Sequence, residues 1–270
     1  MNPEGPIGLF DSGVGGLTVV ARVRQCLPDE SILYFGDTAH LPYGPRPLAE
    51  VREYALRISR YLVAEGAKVV VIACNTSTAA ALEAAQAELP VPVIGMVEQG
   101  VRAALAVARN GCVGVVATQG TVRSGAYERA FLAARPDLTV VQQACPAFVP
   151  LVEAGATDGP EALATAREYV APMSAQGIDT IVLGCTHYPY LAGAIRAVVG
   201  PDVALVDPAE ELAQALVRLL DERGLRRTAP AEPAHRYLVS GDPAVFVEAA
   251  RRLLGREIAV ERVDIFDGES

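Results

Sequence analysis

The chain alternates short β-branched apolar runs with Ala-, Leu- and Arg-rich stretches of helical spacing, a pattern that few folds accept. Strands are expected at Ile7–Phe10, Ile32–Phe35, Val69–Ala73, Val93–Met96, Val113–Ala117, Thr139–Gln142, Thr180–Gly184, Val203–Val206 and Arg236–Ser240. Helices are expected to include Leu17–Cys26, Leu48–Ala64, Ala79–Glu88, Ala162–Ser174 and Ala209–Glu222. Strands separated by helices run parallel, because the helix carries the chain back to the end where it began. The strand runs are almost wholly apolar, so both faces of the sheet are covered. The pattern therefore predicts an α/β fold on a parallel sheet. It also repeats. I-G-L-F-D-S-G from Ile7 resembles V-G-V-V-A-T-Q-G from Val113, and V-V-V-I-A-C-N-T from Val69 resembles T-I-V-L-G-C-T-H from Thr180. Two matches in one order predict duplicated α/β halves. Arg226–Ala234 reads as a surface connection before a last strand–helix unit.

Composition removes several classes of function. The net charge is -9 over 270 residues, against the basic surface a nucleic-acid binder carries. Half the chain is hydrophobic, which excludes disorder, and no apolar run spans a bilayer. The leading M-N-P-E-G-P has neither a basic nor an apolar region of an export signal, so a cytoplasmic location is expected. Five cysteines with no C-x-x-C pair argue against a disulfide framework or a finger-type zinc site. The sole lysine, Lys68, precedes a strand, at the wrong end for a Schiff base, and is expected to be solvated. No Walker-type phosphate loop is present.

In parallel sheets ligands bind beyond the C-terminal strand ends. There the sequence puts Asp11, Ser12 and Gly13, then Asp37 and Pro42-Tyr43-Gly44, then Cys74-Asn75-Thr76, then Thr118 and Thr121, then Cys185-Thr186-His187. Cys74 and Cys185 share one context: the end of an apolar strand and the start of the next helix. Helix-start amides favour a thiolate there, and the polar residues that follow suit an anionic carboxylate. Either cysteine alone reads first as a buried hydrophobe; the twinned context is what marks them. Cys26, Cys112 and Cys145 lack it and read as structural. D-S-G-V-G-G reads as a tight strand-to-helix turn. Asp11 suits an ammonium or a proton carrier, whereas a loop aspartate such as Asp37 is usually a solvated turn former. His187 fits either an acid–base partner or a helix-start hydrogen bond. Cys185 and His187 supply two ligands where a metal needs three or four, so no metal is expected.

Together F-D-S-G-V-G-G, G-D-x-x-x-x-P-Y-G, A-C-N-T and G-C-T-H-Y-P resemble the cofactor-independent glutamate racemases, from about Ile7 to Asp207. The resemblance implies two pseudo-symmetric α/β domains with the active site in the cleft between them. One would comprise residues 1–97 and 208–270, the other 98–207. It implies a two-base mechanism in which Cys185 acts on L-glutamate and Cys74 on D-glutamate, without pyridoxal phosphate or metal. Asp11, Glu153 (in P-L-V-E) and His187 become auxiliary groups, with Asp37 a weaker addition. Asp11, Ser12, Tyr43, Gly44, Asn75, Thr76, Thr118, Thr121, Thr186 and His187 become substrate contacts. It further implies a homodimer that supplies D-glutamate for peptidoglycan. Aspartate racemase is the alternative within the superfamily. A two-lobed amino-acid-binding protein and a redox protein are the readings from other classes.

Overall fold

The computed structural model describes residues 2–228, 232–254 and 257–266. The chain runs β1 (Ile7–Asp11), α1 (Leu17–Cys26), β2 (Ile32–Gly36), α2 (Leu48–Ala64), β3 (Val69–Ile72), α3 (Asn75–Glu88) and β4 (Val93–Gly95). After α4 (Met96–Val107) come β5 (Cys112–Ala117), α5 (Gln119–Ser124), α6 (Ala126–Ala134), β6 (Thr139–Ala144), α7 (Phe148–Glu153) and α8 (Gly159–Ser174). Then follow β7 (Thr180–Gly184), a 3-10 turn (Tyr188–Leu191), α9 (Ala192–Val199), β8 (Ala204–Val206), α10 (Pro208–Glu222), β9 (His235–Val239), α11 (Pro243–Leu254) and β10 (Glu261–Arg262).

The strands form two sheets, both parallel throughout: β10-β9-β2-β1-β3-β4 and β6-β5-β7-β8. The order β2-β1-β3-β4 is repeated by β6-β5-β7-β8, so the duplicated motifs occupy equivalent central strands. The register repeats too. Gly8 pairs with Val70, four residues before Cys74, and Gly114 pairs with Ile181, four residues before Cys185. Both glycines exist for close approach. A Cβ on Gly8 would lie 2.8 Å from the Ala67 Cβ, and one on Gly114 would lie 2.9 Å from the Ile178 Cδ1. Ala67 and Ile178 each stand seven residues before a motif cysteine.

Alternating strand residues build separate cores on the two faces of each sheet, as the two-residue period requires. Ile7, Leu9, Val69 and Val71 pack with α1 and α10, whereas Phe10, Val70 and Ile72 pack with α2 and α3. In the second sheet Val116, Ile181 and Leu183 face α7 to α9, and Val113, Val115 and Val182 face α4 and α6. α10, amphipathic and capped by the Asp207 carboxylate on the Ala209 amide at 3.0 Å, packs on both α1 and α4. Among the described residues no helix is long and apolar enough to cross a membrane.

Two expectations about single residues are corrected. Lys68 is not solvated. It is 1% exposed, and its Nζ donates to Glu30 Oε2 at 2.5 Å and to the Pro3 carbonyl at 2.6 Å. A lysine beside an apolar strand is buried here because Glu30 matches its charge. α3 begins at Asn75, four residues before the expected start at Ala79. The polar N-T-S-T run hid a helix that Cys74 caps with its own sulfur. Of the expected surface connection at Arg226–Ala234, residues 229–231 lie outside the described residues.

Candidate active site

The C-terminal ends of β1, β3, β5 and β7 converge on a cavity of about 430 Å³. Twelve of the expected residues line it: Asp11, Ser12, Tyr43, Gly44, Cys74, Asn75, Thr76, Thr118, Glu153, Cys185, Thr186 and His187. Its size fits a small acid, and no lysine or arginine is among the lining residues. An anion there depends on neutral donors, helix-start amides and His187.

Each thiol is 6–8% exposed, with Cys74 the deeper. Cys74 is the N-cap of α3, accepting the Ser77 amide on Sγ at 3.4 Å. The next amides of that helix have no intrahelical acceptor and point into the cavity's end of the sheet. Burial, reinforced by the Asp11 carboxylate, pushes the Cys74 thiol up to about 12. Cys74 therefore carries its proton at neutral pH.

Cys185 follows β7 but does not cap an α-helix, contrary to expectation. Pro189 sits in the 3-10 turn after it, and α9 starts only at Ala192. Its activating neighbour is instead His187, whose Nδ1 lies 3.8 Å from Cys185 Sγ. The His187 Nε2 stands 3.4 Å from Glu153 Oε1, an ion-pair distance without hydrogen-bond alignment. Burial pulls the imidazole down, but the contacts with Cys185 and Glu153 and the Asp11 charge outweigh it, and His187 rises to about 10. An imidazolium beside a thiol is a proton donor and a counter-ion for the thiolate.

Asp11 is buried against its own turn. Its Oδ2 accepts the amides of Gly16 at 2.9 Å and Gly13 at 3.4 Å, and the Thr186 hydroxyl at 3.4 Å. This carboxylate caps the turn into α1. Burial raises Asp11, with the His187 charge and the turn amides opposing. The Thr186 contact requires Gly15, where a Cβ would fall 2.3 Å from the Thr186 Oγ1.

On the opposite rim, Thr76, Thr118 and Thr121 form a triangle of hydroxyls at 2.8, 3.2 and 3.0 Å. Thr121 is fully buried in that triangle and does not line the cavity, so it holds Thr76 and Thr118 instead of facing a ligand. The Tyr43 hydroxyl is likewise committed, donating to Asp37 Oδ2, which leaves the ring and backbone of Tyr43 to the cavity wall. Asp37 is no solvated turn former and does not reach the cavity. It is fully buried, with His40 Nδ1 at 2.8 Å and the Ser240 hydroxyl at 2.6 Å on its Oδ1. Sequence reasoning missed the wall that Gln119, Cys145, Pro146, Val149 and Pro150 provide. The C-P pair and the apolar face of α7 were its only signals.

The fold and site define a two-lobed α/β protein that presents two buried thiols and neutral donors to a small acid in one shared cavity. The chain belongs to the Asp/Glu/Hydantoin racemase family, whose model matches residues 17–216. It is 51% identical over 267 residues to the glutamate racemase of Beutenbergia cavernae, covering 94% of this chain and 91% of that protein. Glutamate racemase from Thermus thermophilus, solved with β-chloro-D-alanine, superposes with a TM-score of 0.89 at 47% identity, covering 98% of each chain. The Francisella tularensis enzyme, solved with D-glutamate, gives 0.92 at 34% identity over 98% of this chain and 100% of that one.

Proposed function

We propose that the protein is a glutamate racemase, which interconverts L- and D-glutamate by moving one proton between two thiols without a cofactor. The observation that carries this reading is the pair of motif cysteines, equivalent in register, lining one cavity. Inversion of a carbon needs a base on one face and an acid on the other. With L-glutamate, the Cys185 thiolate takes the α-proton, and its charge is balanced by the His187 imidazolium. The Cys74 thiol, held protonated by burial and Asp11, gives its proton to the opposite face. With D-glutamate the roles reverse. The carbanion between these steps is stabilised by donors fixed in a water-poor site: the α3 amides, the Asn75 side-chain amide and the hydroxyls of Ser12, Thr76 and Thr118. Asp11, Glu153 and His187 adjust the charge around the thiols. Pyridoxal chemistry has no lysine to use, since Lys68 is locked to Glu30.

Aspartate is one methylene shorter and is the competing substrate. The relatives near half identity are glutamate racemases, which favours the longer acid. The lobes divide as residues 1–97 with 208–270, and 98–207. We place the enzyme in the cytoplasm, as a homodimer, supplying D-glutamate to peptidoglycan synthesis. The test is incubation with each enantiomer in deuterium oxide. Circular dichroism must decay to zero from both sides, with deuterium at the α-carbon of the product. Absence of interconversion, or faster racemisation of aspartate than of glutamate, would reject the assignment.

A further inference from the structure

Resting on the racemase reading, we infer that Tyr127 is a positioning residue. Its phenol sets the polarity of the Asn75 amide so that the NH2, not the carbonyl oxygen, meets the substrate carboxylate.

Asn75 is 2% exposed and lines the cavity, yet its Nδ2 has no hydrogen-bond partner. A buried donor with no partner is costly, so the group awaits an acceptor. The other end of the amide is taken. Asn75 Oδ1 accepts the Tyr127 hydroxyl at 2.7 Å. The two ends of a side-chain amide are nearly equal in size, so hydrogen bonding alone decides which faces inward. Tyr127 makes that decision. Burial keeps its phenol protonated, and Asn75 Oδ1 is its hydrogen-bond partner. With the amide reversed, that proton would lose its acceptor and a carbonyl oxygen would face an anion.

Two glycines keep the ring in place. A Cβ on Gly100 would lie 2.8 Å from the hydroxyl, and one on Gly184 would lie 3.2 Å from the ring Cε2. Gly184 directly precedes Cys185. The bond is also an interlobe contact, since Asn75 heads α3 and Tyr127 belongs to α6.

The test is steady-state kinetics of Tyr127→Phe. KM for both enantiomers rises about tenfold, the worth of one oriented bond to a charged group, while kcat changes less than about threefold. Asn75→Ala raises KM by itself, and adding Tyr127→Phe then changes KM by less than about twofold. An unchanged KM in Tyr127→Phe overturns the inference. So does a full tenfold loss in the Asn75→Ala background, which marks a packing role. If Tyr127→Phe does not accumulate as folded protein, Gly100→Ala displaces the same hydroxyl and must raise KM with little change in kcat. Turnover by the wild type tests the racemase reading, and the ratio of variant to wild type tests Tyr127, so the two fail separately. Should the wild type bind glutamate without turnover, calorimetric Kd replaces KM in the same comparison.

Discussion

The two halves share a backbone and differ in their chemistry. After β1 the chain places Asp11 at the strand end, and after β5 it places Ala117 in the same register. After β2 comes Asp37, whose amide donates to the Asp11 carbonyl at 3.0 Å; after β6 comes Cys145, whose amide donates to the Ala117 carbonyl at 2.9 Å. Both residues are fully buried, but Asp37 gathers Tyr43, His40 and Ser240 whereas Cys145 forms part of the cavity wall and offers its carbonyl to Tyr188. The thiols diverge likewise. Cys74 caps a long helix beside a carboxylate, and Cys185 stands on a 3-10 turn beside a histidine. Mirror-image substrates do not demand mirror-image sites. Enantiomers are equally stable in water, so kcat/KM must be the same in both directions at every pH, whatever each wall is made of. What the asymmetry sets is the company each thiol keeps, burial and a carboxylate at Cys74 and an imidazole at Cys185.

Cys74→Ser and Cys185→Ser give the largest effects on that comparison. Each lowers racemisation at least about 1,000-fold, because each removes one of the two proton carriers. Cys74→Ser keeps α-deuterium exchange from L-glutamate and Cys185→Ser keeps it from D-glutamate, as NMR of recovered substrate will show. Residual exchange from the same enantiomer in both variants breaks the two-wall picture.

His187→Gln comes next, lowering kcat about 100-fold. In the wild type His187 is raised from 6.5 to about 10, so the imidazolium is lost as pH climbs through about 10 and turnover falls there. The variant lacks that alkaline decline. Stability follows the same sign. A raised folded value contributes stability fully present below 6.5 and lost toward 10, so urea midpoints measured at pH 6 and pH 9.5 differ more for the wild type than for the variant.

Smaller effects sharpen the structural side of the comparison. Asp37→Asn lowers unfolding free energy by about 2 kcal/mol, because three donors share that buried carboxylate, and raises KM only slightly through Tyr43. Its counterpart Cys145→Ala costs less. Gly8→Ala destabilises by about 1–3 kcal/mol, since the Ala67 Cβ cannot move aside. Gly114→Ala is milder, because the obstructing Ile178 Cδ1 is the end of a flexible side chain. Equal losses at the two glycines would show that the halves relax alike.

The sequence by itself determined the layered parallel fold, the duplication and the placing of Cys74 and Cys185 after equivalent strands. Those properties reside in apolar periodicity and in residues at strand ends, and a strand end in a parallel sheet is a defined place whatever packs around it. Burial of Lys68 against Glu30 and of Asp37 against Ser240 depended on groups far apart in the chain finding one another, which no local pattern encodes. The same holds for the Thr76–Thr118–Thr121 triangle and for Tyr127 on Asn75, where one half of the molecule fixes a hydrogen in the other. Only the closed tertiary structure could decide these, because a buried polar group takes its partner from whatever the opposing lobe presents once water is gone.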